Sequence, residues 1–110
     1  MFDSQRFGGV ARLYGEQQTT HIAGLHIAVI GIGGVGSWSA EALARTGVGQ
    51  ITLIDLDDIC VTNTNRQIHA LNDTVGQAKV TVMAQRISQI NPACKVNVIE
   101  DFVTPDTVME

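Results

Sequence analysis

The glycines Gly31, Gly33 and Gly36 have the spacing G-x-G-x-x-G, with Gly34 as a fourth glycine between them. The apolar stretch HIAVI precedes them, and a stretch rich in helix-forming residues follows. A glycine turn between a strand and a helix lets backbone N–H groups approach a phosphate, because no Cβ blocks the way. The spacing therefore predicts a phosphate-binding turn. The glycines alone leave a tight structural turn open as the alternative.

Asp55 ends the second apolar stretch, QITLID, nineteen residues after Gly36. A carboxylate at this place accepts hydrogen bonds from the ribose hydroxyls of a bound nucleotide. The combination favours an adenine nucleotide over a turn that is only structural. It does not distinguish ATP from a nicotinamide dinucleotide, because a dehydrogenase uses the same turn and the same carboxylate.

The segment after Asp55 is rich in carboxylates, amides and cations: Asp57, Asp58, Asn63, Asn65, Arg66 and, further on, Lys79. Cleavage of ATP between its α- and β-phosphates requires cations that neutralise the departing pyrophosphate, a role that Arg66 and Lys79 fit. Lys79 lies near the predicted start of a helix, where a cation is unfavourable unless an anion binds beside it. The alternative is a solvated Lys79 and an Arg66 that pairs with a neighbouring aspartate.

Three apolar stretches rich in β-branched residues predict parallel strands at 25–31, 50–55 and 95–100. A first helix is predicted over 35–46, stopped by glycines, with its inward face formed by Val35, Trp38, Ala42 and Leu43. A second long helix is predicted to begin with a capping box of Thr74 and Gln77 and to end at Asn91-Pro92. Its core-facing residues are predicted to be Val80, Met83, Ile87 and Ile90.

This order of elements, β-α-β-α-β, predicts an α/β fold: the N-terminal half of a three-layer, doubly wound, Rossmann-like parallel sheet. Residues 1–24 are expected to form a lead-in of short helices, and residues 25–110 the nucleotide-binding portion of a larger domain. Thr104-Pro105 could open another helix. We therefore expect the front portion of a longer protein.

The composition excludes several classes of protein. Of the 110 residues, 45% are hydrophobic and 16% charged, as in ordinary globular domains, and no apolar run could cross a bilayer. The formal net charge of −4 excludes a broad nucleic-acid-binding face within this stretch. Cys60 and Cys94 form no disulfide framework, and the N-terminus is not a signal peptide, so a cytoplasmic location is expected. No residues have metal-ligand spacing.

Two long stretches carry a resemblance to a known family. The stretch GIGGVGSWSAEALARTGVGQITLIDLDDICVTNTNRQ, with VGQAKV after it, resembles the ATP-dependent ubiquitin-activating-type (HesA/MoeB/ThiF) adenylating enzymes. This family includes the molybdopterin-synthase and thiamine-pathway sulfur-carrier adenylyltransferases. Within it, RFGGVARLYG, DDICVTNTNRQIHAL and DFVTPDTV are most similar to the branch of tRNA threonylcarbamoyladenosine dehydratases.

The resemblance implies a role for each matching position. The four glycines approach the nucleotide and Asp55 holds the ribose. Asn63, Arg66 and Lys79 contact the phosphates, and Asp57 supports the site. An N-terminal arginine is expected to reach the ATP of the other subunit in a homodimer, with Arg6 as first choice. Arg12 is the second choice, because the family's R-Y-x-R-Q pattern is not intact around Arg6.

The resemblance also implies the substrates and the cofactor. ATP and Mg²⁺ are expected, with the metal-binding aspartate and most of the acceptor surface beyond residue 110. ATP would activate the threonyl carboxylate of threonylcarbamoyladenosine in tRNA as an acyl-adenylate. The carbamoyl group would then close onto the activated carbonyl with net loss of water. The protein supplies positioning and charge stabilisation rather than a covalent nucleophile.

Other functions stay open on the sequence. The chain could belong to an enzyme that adenylates the C-terminus of a ubiquitin-like sulfur carrier, to an NAD-dependent oxidoreductase, or to a non-catalytic nucleotide-binding module. A thioester role for Cys60 is rejected in favour of a small buried hydrophobe, and Cys94 is interpreted in the same way. Trp38 is expected in the core, and His69 is expected to be a packed or exposed loop residue.

Overall fold

The structure is a computed structural model that describes residues 2–101, so the predicted helix start at Thr104-Pro105 lies outside it. Four α-helices, one 3₁₀ helix and three strands are found in this range. In chain order they are α1 (Ser4–Tyr14), α2 (Glu16–Ala23), β1 (His26–Ile30), α3 (Gly36–Thr46), β2 (Gln50–Ile54), the 3₁₀ helix (Val61–Asn65), α4 (Lys79–Ile90) and β3 (Lys95–Ile99).

The three strands form a parallel sheet in the order β1-β2-β3. The register aligns Ile30, Ile54 and Ile99 at the carboxyl ends of the strands. This confirms the predicted β-α-β-α-β unit of a doubly wound sheet. The segments that leave the three strands therefore meet at one edge, where such folds bind their ligands.

The core lies between one face of the sheet and the two crossover helices. Ile51 and Leu53 of β2 are fully buried against Ala40 of α3 and Met83 of α4. The predicted inward face of α4 is confirmed, since Val80, Met83 and Ile87 are buried and Ile90 packs against them.

The predicted inward face of α3 is wrong for three of its four residues, and only Leu43 packs against the core. Val35 and Trp38 are 81% and 52% exposed, and Ala42 is also exposed, while Leu43 is only partly buried. The buried residues are instead Ser37, Ala40, Glu41 and Ala44. Small side chains let the helix approach the sheet, and the polar members of this set are paired inside the protein. Large apolar residues therefore did not mark the buried face.

The predicted start of α4 at Thr74 is also wrong, because the helix begins at Lys79. The Thr74 hydroxyl donates to the carbonyl of His69 at 2.5 Å and accepts from the N–H of Leu71 at 2.9 Å instead of capping a helix. Residues 76–79 pair with the loop after β2: the Lys79 N–H donates to the carbonyl of Asp57 at 3.1 Å. This tertiary pairing outweighs the local capping signal.

The short helices expected before the first strand are present as α1 and α2. The Asp3 side chain caps α1, and Phe7 on that helix is buried against Gly47, where α3 ends. Among residues 2–101 there is no helix with the length and hydropathy that a membrane crossing requires.

Candidate nucleotide site

The glycine turn connects β1 to α3, and its backbone atoms are closely packed. Gly31 has φ +85°, a conformation that side chains other than glycine rarely adopt. A Cβ on Gly36 would lie 1.7 Å from the carbonyl oxygen of Gly31, so only glycine fits at the start of the helix. The backbone geometry of the turn therefore requires glycine at the first and last positions of the motif, whether or not a phosphate binds. Gly33 and Gly34 face side chains of the segment that carries Arg66.

The carboxylate of Asp55 is fixed by the backbone. Its Oδ2 accepts from the N–H of Ile32 at 2.6 Å, and its Oδ1 accepts from the N–H of Asp57 at 2.8 Å. Each carboxylate oxygen has further acceptor capacity. The side chain is thus held in one orientation beside the glycine turn, with room to accept from two hydroxyl groups.

A cavity of about 270 Å³ opens at this edge of the sheet. Its walls combine the ends of β1 and β2 with carboxylates, and they include Ile30, Ile54, Asp55 and, two residues after β3, Asp101. The isoleucines supply an apolar surface, and Asp55 adds an oriented carboxylate beside it. Sequence reasoning missed Asp101. Its place two residues after β3 was the signal, since parallel strand ends converge at one edge.

Asn63 is buried in the 3₁₀ helix that follows β2. Its Oδ1 accepts from the N–H of Cys60 at 2.8 Å, which sets the orientation of the amide. The Nδ2 group therefore keeps its donors, and within the described part of the chain no hydrogen bond occupies them. An amide in this state can donate to a phosphate oxygen without adding charge.

Arg66 extends over the glycine turn. Its Cγ and Cδ lie 3.7 Å from the position of a Cβ on Gly34, and its Nη1 donates to Asn65 Oδ1 at 3.0 Å. Within residues 2–101 no ion pair joins the guanidinium to a carboxylate, so the expected alternative of an aspartate partner is not formed there. The cation is exposed beside the turn.

Trp38 lies outside the core, contrary to expectation. Its indole Nε1–H donates to the backbone carbonyl of Arg66 at 2.8 Å. An indole N–H needs an acceptor when it leaves water, and this carbonyl supplies one at the surface. This hydrogen bond therefore connects α3 to the segment that carries Arg66.

Lys79 is the first residue of α4 and is only 7% exposed. No ion pair or hydrogen bond reaches its ammonium group from any residue between 2 and 101. Burial thus concerns the alkyl chain, since the Nζ atom is not among the buried atoms that lack a partner. A cation at the N-terminus of a helix is unfavourable. A bound anion would offset this unfavourable charge, and a solvated ammonium group stays the alternative.

The predicted N-terminal arginines lie away from these residues. Arg6 pairs with Asp3 at 2.9 Å on α1, a helix that packs on the far end of α3 from the glycine turn. The 11 residues of α3 span about 16 Å at 1.5 Å per residue. Arg12 lies beside glycines of its own helix. Neither arginine joins the site of its own chain, and a role across a dimer stays a prediction.

The two cysteines differ. Cys60 is exposed, so its interpretation as a small buried hydrophobe is wrong. The hydroxyl of Thr62 donates to its sulfur and lowers the pKa of the thiol, and the charge of Lys79 acts in the same direction. Cys94 is buried as expected, and burial raises the pKa of its thiol. Across residues 2–101, no group of three or more His, Cys, Asp or Glu side chains is arranged to hold a metal ion.

Comparison with known proteins decides the family. The sequence profile of the ThiF family matches residues 8–110. The chain belongs to the ThiF family. Its relatives in this family include the tRNA threonylcarbamoyladenosine dehydratases of Escherichia coli and Haemophilus influenzae. They are 71% identical over 106 residues and 57% identical over 102 residues, which is 96% and 93% of this chain.

A solved ThiF-family structure has the same fold. The E. coli tRNA threonylcarbamoyladenosine dehydratase TcdA, crystallised with ATP and with AMP, superimposes with a TM-score of 0.94 at 71% identity. The alignment covers 96% of this chain and 43% of that chain. This chain spans about 40% of the length of the two curated dehydratases.

Proposed function

We propose that this ThiF-family chain forms the ATP-binding part of an enzyme that activates a carboxylate by adenylation. The observation that carries the proposal is a pair of cations without carboxylate partners among residues 2–101: the Lys79 ammonium, whose charge acts on His69, and the exposed Arg66 guanidinium, which lies over Gly34. A site that only holds a dinucleotide needs the turn and Asp55, but it does not need two cations without carboxylate partners. A site that cleaves ATP does.

The nucleotide would be held by groups that are already oriented. Ile30 and Ile54 would contact the base, and the fixed carboxylate of Asp55 would accept from the ribose hydroxyls. Gly33 and Gly34 leave space for phosphates at the start of α3, where the helix dipole favours an anion. Asn63 would donate to phosphate oxygens through its Nδ2 group. Asp57 would support the site, since its N–H donates to Asp55.

The carboxylate we propose as substrate is the threonyl carboxylate of threonylcarbamoyladenosine in tRNA. The dehydratase relatives at 71% and 57% identity, and the crystallisation of one of them with ATP, support this choice. The substrate carboxylate oxygen would attack the α-phosphorus while the bond to the β-phosphate breaks and pyrophosphate leaves. The carbamoyl group would then attack the activated carbonyl and expel AMP, so that water is lost overall.

Two cationic residues of this chain would stabilise the negative charge that develops during this step. Arg66 and Lys79 would neutralise the α-phosphate and the departing pyrophosphate, and their positive charges would be worth most in a site that excludes water. Mg²⁺, when bound, would supply further positive charge against the phosphates. Among residues 2–101, no group of three or more His, Cys, Asp or Glu side chains could hold a metal ion. We therefore propose that a carboxylate beyond residue 110 holds the metal.

The remaining parts of the proposal concern the whole protein. We propose a cytoplasmic homodimer in which Arg6 of one subunit completes the site of the other. The acidic balance of this stretch means that the tRNA-binding surface would come from residues outside it or from the dimer.

The proposal is tested by calorimetric titration of the full-length protein with ATP and with NAD. We expect ATP to bind, and we expect Arg66→Ala and Lys79→Ala each to raise its Kd at least about tenfold. Tight NAD binding that neither substitution affects would support an oxidoreductase instead. Adenylation of a sulfur-carrier C-terminus, with no reaction of modified tRNA, would replace the proposed acceptor but keep the adenylation chemistry.

A further inference from the structure

The arginine segment 66–69 is attached to the glycine turn along its whole length. Each of its residues makes a contact with the turn or with the first part of α3. The pairs are the Arg66 carbonyl with Trp38 Nε1, Gln67 Nε2 with the Gly33 face, Ile68 N–H with Ser37 Oγ, and His69 Nε2 with the Ile32 carbonyl. The segment that carries the exposed cation is therefore held in register with the turn that would receive the phosphates.

His69 makes the most buried of these contacts. The ring has no exposed surface, and its Nε2 lies 2.7 Å from the carbonyl oxygen of Ile32. A carbonyl oxygen can only accept, so Nε2 carries the hydrogen. The N–H of the same residue, Ile32, donates to Asp55. Side chains from two different loops thus hold Ile32, one at its N–H and one at its carbonyl.

The surroundings of His69 keep it neutral. Burial lowers the pKa of the imidazole and the charge of Lys79 acts in the same direction, while the Ile32 carbonyl and Asp55 oppose them. Within residues 2–101 the second ring nitrogen, Nδ1, has no hydrogen-bond partner. Protonation at Nδ1 would therefore create a buried N–H without an acceptor, which is unfavourable.

We propose that His69 is a positioning residue of the nucleotide site: by donating from Nε2 to the Ile32 carbonyl, it fixes the phosphate-binding turn relative to Asp55 and Arg66. This inference rests on the proposed function, since it assumes that ATP binds at the turn. His69 itself touches no substrate in this account. It acts through the Ile32 peptide, and its contribution comes from preorganisation of the turn.

The test compares two substitutions of His69 in the full-length protein. The amide nitrogen of glutamine reaches about as far as the imidazole Nε2, so His69→Gln keeps a donor for the Ile32 carbonyl, whereas His69→Leu keeps the volume and removes the donor. His26→Leu is the matched control, because His26 Nε2 bonds Thr52 Oγ1 at 2.7 Å near the opposite end of the sheet. ATP affinity is measured by calorimetry, and folding by thermal denaturation.

We expect His69→Leu to raise the Kd for ATP about tenfold at a temperature where the variant is folded. His69→Gln should restore affinity to within about threefold of wild type, and His26→Leu should not change it.

Equal ATP affinities of wild type, His69→Leu and His69→Gln would overturn the positioning role and leave the proposed function intact. If His69→Leu does not fold, the donor-retaining variant decides: a folded His69→Gln that binds ATP more than about tenfold more weakly than wild type would overturn the role. A wild-type protein that does not bind ATP would overturn the proposed function, and the inference with it.

Discussion

Arg86 on α4 and Glu41 on α3 form an ion pair across the two crossover helices. Arg86 Nη2 lies 3.1 Å from Glu41 Oε2, and the carboxylate side chain is only 9% exposed. Arg45 approaches the same carboxylate from its own helix at 2.9 Å, but it is 59% exposed. The pair explains why a glutamate lies on the buried face of α3, and it is the main polar link between the helices that cover the sheet.

Loss of this pair should destabilise the protein in a pH-dependent way. Burial alone would raise the pKa of Glu41, but the hydrogen bonds from Arg86 and Arg45 outweigh it and hold the pKa below its usual value. A lowered carboxyl pKa stabilises the fold above about pH 4.5, the ordinary value, and this contribution is lost as the pH falls through the folded-state pKa. Arg86→Leu should therefore cost about 1–3 kcal/mol of unfolding free energy at pH 7. The unfolding free energy of this variant should also change less than that of wild type as the pH falls.

Chemical denaturation at pH 7 and at about pH 4 measures this effect. Arg45→Leu is the matched control and should cost less than about 1 kcal/mol, because its guanidinium is mostly solvated. Equal costs for the two substitutions, or an Arg86→Leu variant as acid-sensitive as wild type, would show that the buried pair does not stabilise the fold as described.

Two glycines of the turn should respond differently to alanine. A Cβ on Gly34 meets only the flexible Arg66 side chain at 3.7 Å, whereas a Cβ on Gly36 meets the Gly31 carbonyl at 1.7 Å. Gly34→Ala should therefore fold with little change in Tm but bind ATP at least about tenfold more weakly, since the methyl group occupies space for phosphates. Gly36→Ala should cost more than about 3 kcal/mol of stability.

The distant helical substitution Gly8→Ala serves as the control, since its Cβ has room and helix propensity favours alanine. Thermal denaturation and ATP titration of the three variants separate the two effects. ATP affinity of Gly34→Ala equal to that of wild type would show that no phosphate approaches this part of the turn.

The thiols should differ in reactivity. Cys60 is exposed and the Thr62 hydroxyl lowers its pKa, while Cys94 is buried with a raised pKa. Because the thiolate is the nucleophile, iodoacetamide should alkylate Cys60 at least about tenfold faster than Cys94 at pH 7.5. Peptide mass spectrometry over time measures both rates, and denatured protein provides the reference. Faster labelling of Cys94 would contradict the burial and hydrogen bonding described for the two residues.

The role of Arg6 across a dimer can be tested by complementation. If Arg6 completes the site of the other subunit, Arg6→Ala and Lys79→Ala should each be inactive alone. Equal mixing with subunit exchange should then restore about a quarter of wild-type activity, because half of the dimers would hold one intact site. A mixture of Arg12→Ala with Lys79→Ala tests the second choice. Recovery with Arg12 only would exclude Arg6, and recovery with neither would exclude both from action across the dimer.

The sequence predicted the sheet well because its signals were local. The three strands lie within a residue of the ranges 25–31, 50–55 and 95–100, since β-branched runs bounded by glycine or polar residues mark buried parallel strands. Two helix predictions failed where tertiary contacts decided. Glu41 is buried because Arg86 comes from another helix, and Thr74 does not cap α4 because residues 76–79 pair with the loop after β2.

In the candidate site, too, the features with local sequence signals were predicted and those that depend on tertiary contacts were missed. The glycine turn and Asp55 follow from spacing within one β-α-β unit, which a sequence displays directly. The contributions of Asp101 and His69 arise from the alignment of strand ends and from the path of the 66–69 segment over the turn. Neither relation has a fixed spacing in the chain. The exposure of Trp38 was missed for the same reason, since its acceptor is the carbonyl of Arg66.

The central claim is that the cations beside the glycine turn act in the cleavage of ATP. The most direct measurement is ATP–pyrophosphate exchange by the full-length protein in the presence of tRNA that carries threonylcarbamoyladenosine. We expect exchange that Lys79→Met reduces more than about 100-fold, while Lys95→Met, at an exposed lysine, leaves it unchanged. Exchange that is absent from wild type, or that persists undiminished in Lys79→Met, would contradict the account.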